Sequence, residues 1–124
     1  ISDETSVNVL IQELQNPHPG VVIYALKTLE TVEQESLRYA IPSLLVHSSA
    51  EVRQQALECV DRLHMTSALN PLRERIQKES DPAVVGILLR TLSALAGADS
   101  ADILIRYIHD PNPQIRTGAI IEPS

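Results

Sequence analysis

Four stretches of this chain follow one template, a turn followed by an apolar anchor. They are "NPHPGVVIYAL" (16–26), "SSAEVRQQAL" (48–57), "SDPAVVGILL" (80–89) and "DPNPQIRTGAI" (110–120). The anchors Val21, Val52, Val84 and Ile115 lie 31, 32 and 31 residues apart. A near-constant period of this size leaves few folds open. Each copy is one supersecondary unit that buries its apolar side only by stacking on its neighbours.

Counting from the anchor, the fourth residue on is Ala25, Ala56, Leu88 or Ala119, and the fifth is Leu26, Leu57, Leu89 or Ile120. The eighth is Leu29, Val60 or Leu92, and the eleventh is Val32, Leu63 or Leu95. Apolar residues at these offsets form one stripe of an amphipathic helix. The small residue at the fourth place lets neighbouring helices approach, so Leu88 predicts wider packing in the third copy. In the fourth copy the eighth place is Pro123, which predicts a truncated helix breaking near Glu122.

The starts of these helices are also written in the sequence. Asp81 before Pro82 and Asn112 before Pro113 each put a cap oxygen next to a proline at the first helical position. Ser48 and Glu51 have the capping-box spacing. Second helices are predicted at 6–15, 36–47, 67–78 and 100–109, with Pro71 tolerated in a first turn and Pro42 deep enough to kink its helix or delay its start. Gly97 is the predicted C-cap of one helix, and Asp99 or Ser100 the N-cap of the next. About eight helices in four repeat units result, the last truncated, and no segment shows strand periodicity.

The pattern "DPxPxVRxxA" is matched by Asp110, Pro111, Pro113, Ile115, Arg116 and Ala119, and in part by Val52, Arg53 and Ala56. It resembles the HEAT repeat, in the short bacterial form related to phycobilisome lyase repeats. The arginine of that motif stands at Arg53 and Arg116, whereas Val22 and Val85 replace it in the first and third copies. The resemblance implies an all-α, right-handed superhelix of HEAT/armadillo type over residues 1–124 as a single domain, cut from a larger bacterial protein. It also implies a non-catalytic protein-interaction or scaffolding role. Three further roles attach to similar repeats: a bilin lyase-type subunit, the soluble regulatory segment of an ADP/ATP translocase-like transporter, and a DNA glycosylase, against which the acidic charge and the lack of Trp and Phe argue. In the second, the parent protein and not this segment meets the membrane.

Composition narrows the chemistry. With no Trp or Phe and three Tyr, the core is aliphatic. No run of about 18 uncharged apolar residues predicts a membrane span. The single cysteine, Cys59, and the absence of a signal-peptide pattern predict a cytoplasmic setting. The net charge is −6, and residues 1–35 hold Asp3, Glu4, Glu13, Glu30, Glu33 and Glu35 against Lys27. That balance repels phosphate backbones, so nucleic acid is not an expected partner.

No catalytic, metal or cofactor site is expected. His18, His47, His64 and His109 fall in different copies without an HxxxH or CxxC pairing, and they read as helix-terminus or surface residues. Cys59 shares its register with Thr28, Thr91 and Glu122 and reads as a partly exposed, idle thiol. Glu74 reads as the i, i+4 partner of Lys78, and Asp99 and Asp102 as solvated surface charge. The expected partner is another protein. The resemblance implies that the second helices line a concave groove, where Arg38, Arg73, Arg75, Lys78 and Arg106 would be the predicted contact.

Overall fold

A computed structural model describes residues 4–120. Its elements are α1 (Glu4–Glu13), α2 (Pro19–Val32), α3 (Gln34–Leu44), α4 (Ala50–Arg62), α5 (Leu69–Ile76), α6 (Pro82–Ala96), α7 (Ala101–Leu104) and α8 (Pro113–Gly118). Short 3-10 turns at Thr66–Ala68 and Gly97–Ser100 precede α5 and α7. The described residues contain no strand. The predicted break near Glu122 lies outside them.

The chain divides into two compact units, one ending at Ala56 and the other beginning at Leu57. In the first, α2 packs against α1 and α3. In the second, α6 is the central helix, contacting α5, α7 and α8. The stripe builds both cores. Leu26, Leu29, Leu57, Leu89 and Leu92 are fully buried, as are Ala25, Ala56, Leu88 and Ala119 at the fourth place. Each buried leucine contributes about 1.5–3 kcal/mol relative to exposure. Among the described residues of the stripe, Val21, Val32, Leu63, Leu95 and Ile115 are half-buried and Ile120 is 58% exposed.

All four repeat helices start in the same way, through two acceptors set five and three residues before the anchor. At the first acceptor, Asn16 Oδ1 takes the His18 N–H (2.8 Å), His47 Nδ1 the Ser49 N–H (3.0 Å), Glu79 Oε2 the Asp81 N–H (3.1 Å) and Asp110 Oδ1 the Asn112 N–H (2.9 Å). The second acceptor then caps the helix. His18 Nδ1 takes the Gly20 N–H (3.1 Å), Ser49 Oγ the Val52 N–H (3.4 Å), Asp81 Oδ1 the Ala83 and Val84 N–H groups (3.0 and 3.2 Å), and Asn112 Oδ1 the Gln114 N–H (2.8 Å). Each satisfies amides that a helix start leaves without intrahelical partners. The expected Ser48–Glu51 box is therefore corrected by one residue: Ser49 is the cap, because it alone occupies the register of Asp81 and Asn112.

The arginines of the second and fourth copies close the same turns from inside the helix. Arg53 Nη1 donates to the carbonyls of His47 (2.7 Å) and Ser48 (3.3 Å). Arg116 Nη1 donates to those of Asp110 (2.9 Å) and Pro111 (3.0 Å). At the equivalent place Val22 and Val85 are simply buried.

Helix ends follow equally local rules. Gly97 terminates α6 at φ 55°, with its N–H on the Ser93 carbonyl. His64 takes the left-handed conformation after α4, at φ 49°. Its N–H reaches the Asp61 carbonyl (3.1 Å) while the Met65 N–H reaches that of Val60 (3.0 Å), the bond pair of a Schellman motif. Contrary to the expectation from sequence, Ser100 at the N-cap of α7 makes no capping bond through its side chain. It is buried and donates its hydroxyl to the Gly97 carbonyl (2.6 Å). Pro71 sits in the first turn of α5, and Pro42, itself exposed, is contained within α3 near its C-terminal end, without delaying the start of that helix.

Two packing expectations are overturned. Leu88 does not widen the third copy's packing, because Gly86 and Gly118 bring α6 and α8 together along their backbones. A Cβ on Gly86 would stand 2.6 Å from the Gln114 carbonyl oxygen, and one on Gly118 would overlap the backbone of Gly86. Cys59 is not partly exposed but 0% accessible. The threonine at its register in the third copy, Thr91, is also buried, because its Oγ1 donates back to the Ile87 carbonyl (2.8 Å). Pro82–Leu104 is long and apolar enough by composition to cross a bilayer, with a mean hydropathy of 1.3 over its apolar stretch. That apolar character is used inside the second unit, where Val84, Val85, Leu88, Leu89 and Leu92 are buried.

Candidate functional site

The cations expected to line one groove have different local roles. Arg38, on α3 of the first unit, is exposed and pairs with Glu35 one turn earlier (3.3 Å). Arg73, on α5 of the second unit, donates through Nη2 to the Asp99 carbonyl (3.2 Å), tying α5 to the turn before α7. Arg75 lies two residues on, about 200° around the helix from Arg73, so the two leave α5 in different directions. Its Nε bonds Glu79 Oε1 at 3.1 Å, and the Glu79 side chain is 0% exposed. The Glu79 carboxylate also holds the Asp81 N–H, which makes Arg75 part of the turn's own support. This pair takes the place of the expected Glu74–Lys78 pair, one residue along. Lys78 and Arg106 are exposed, after α5 and after α7.

Thus Arg73 and Arg75 serve the fold of the second unit, while Arg38, Lys78 and Arg106 present charge to solvent. Sequence reasoning passed over their apolar neighbours. Tyr39, beside Arg38, is 83% exposed, and Ile105, beside Arg106, is 66% exposed. Ile105 and Ile108 join Ala101, Leu104, Ala119 and Ile120 around an apolar hollow of about 410 Å³ in the second unit. The signal for it was faint but present. "ILIRYIH" (103–109) has more apolar positions than one buried stripe of a helix as short as α7 can cover. Among the described residues, no group of three or more His, Cys, Asp or Glu side chains could hold a metal ion.

A family model described as HEAT repeats matches residues 7–93 and, in a second overlapping match, residues 40–122. The chain belongs to the HEAT-repeat family. The helical repeats described above are accordingly those of an α-solenoid, and HEAT repeats generally mediate protein–protein interaction or scaffolding. The HEAT family is typically non-catalytic. No curated protein matches the chain.

Proposed function

We propose that this HEAT-repeat chain is a non-catalytic protein-interaction or scaffolding module that binds through exposed residues on its second helices and just after them. The observation that carries this reading is the pairing of an exposed cation with an exposed large apolar side chain, Arg38 with Tyr39 in one unit and Arg106 with Ile105 in the other. Aromatic residues and arginine are enriched in interface cores, and side chains of this kind supply most hot spots. The matching partner is a protein surface with apolar anchors flanked by carboxylates. Complementary charge of this sort sets orientation and association rate more than affinity.

The test is comparative affinity capture with the wild-type chain and two double variants, Arg38→Glu/Tyr39→Ser and Ile105→Ser/Arg106→Glu, each checked for retained helicity by circular dichroism. The expected result is a protein held by the wild type and weakened about tenfold or more by at least one variant. Equal retention of every captured protein by all three would remove these faces from the binding role.

A further inference from the structure

In the first unit, histidine nitrogen stands in two of the four acceptor places that start the repeat helices, and the second unit has none there. His18 Nδ1 accepts the Gly20 N–H at the start of α2, and His47 Nδ1 accepts the Ser49 N–H at the turn into α4. The corresponding acceptors of the second unit are oxygens of Glu79, Asp81, Asp110 and Asn112. An imidazole nitrogen accepts only while it carries no proton, and imidazole is the side chain that changes charge between about pH 5 and 8.

The His18 site is shaped to its ring. A Cβ at residue 20 would lie 3.1 Å from His18 Cε1 and 3.2 Å from Nδ1, so the glycine provides the space in which the ring turns back on the helix start. We infer that His18 and His47 make the helix starts of the first unit proton-sensitive, while those of the second unit are built to withstand the same acidification. Protonation places an N–H where each ring nitrogen faces a backbone N–H, and it puts positive charge at the positive end of a helix.

Each of these turns also carries a charged residue. On the α1 side of His18 stands Glu13, whose Oε2 accepts from Asn16 Nδ2 (3.1 Å), the same Asn16 that takes the His18 N–H. On the α4 side of His47 stands Arg53, whose guanidinium donates to the His47 carbonyl. The sign follows from the acceptor role: the caps hold above the imidazole range and are lost as pH falls through it.

The decisive experiment is amide hydrogen exchange by NMR on the full chain at pH 7.5 and 5.0, corrected for intrinsic exchange, together with the ring-nitrogen shifts of the histidines. Both rings are expected in the Nε2–H tautomer at pH 7.5. Protection of the Gly20 and Ser49 amides should fall about fivefold at pH 5.0 relative to Ala83 and Asn112, the scale of one lost cap. In His18→Asn/His47→Asn, which keeps an acceptor in both places, the pH effect should vanish. An Nδ1–H tautomer at neutral pH, or unchanged protection after both rings protonate, would overturn the inference without reference to any variant.

Discussion

The second and fourth repeat helices share an arginine at the residue after the anchor, where the first and third share a valine. Arg53 and Arg116 reach back to two carbonyls of the preceding turn, whereas Val22 and Val85 face the core. The difference teaches that this place lies on the border of the core. A side chain there holds turn and helix together either by excluding water or by donating hydrogen bonds, and the backbone is the same for both. The two arginines are not equivalent, however, since Arg53 is 8% exposed and Arg116 is open to solvent.

The comparison breaks most completely where a valine-bearing helix meets an arginine-bearing one. In Gly118→Leu the new side chain has nowhere to go but into the Gly86 backbone, so α8 must leave α6, at a cost of about 3 kcal/mol. Chemical denaturation followed by circular dichroism measures this, and a loss below about 1 kcal/mol would mean that the helices do not touch. Arg53→Ala removes a largely buried clamp on two carbonyls and should lower stability by about 2 kcal/mol in the same assay. His64→Gly sharpens the picture at the other end of the helix that carries Arg53. A residue freed from the left-handed penalty should raise stability by about 0.5–1 kcal/mol, seen as a higher denaturation midpoint. Arg116→Ala, which removes the same two bonds in an exposed setting, should change stability by only about 0.5 kcal/mol. An equal loss at Arg53 and Arg116 would show that burial does not set the strength of the clamp.

Much of the fold was legible in the sequence because the period and the stripe are carried by residues whose burial follows from their type. Leu26, Leu57 and Leu89 could be placed inside without knowing what covers them. The close approach of α6 and α8 could not, since Gly86 and Gly118 are 32 residues apart and a missing side chain leaves no apolar signal. Cys59 was misplaced for a related reason. A threonine in its register suggests water, yet a threonine in a helix satisfies its hydroxyl on its own backbone, as Thr91 does. The candidate site was legible only as a list of cations. Charge says nothing about engagement, and it took the positions of Glu79 and the Asp99 carbonyl to separate Arg75 and Arg73 from the solvent-facing Arg38, Lys78 and Arg106.

The turn with two acceptors explains why copies of one structure share so few letters. Asn, His, Glu and Asp fill its first place and His, Ser, Asp and Asn its second, and each does the work with lone pairs on one side-chain atom. A unit specified in lone pairs, not residue names, is free to drift across half the polar amino acids without losing its shape. Such a chain can diversify its exposed faces and even its sensitivity to acid, one copy at a time, while its neighbours continue to meet the same surface.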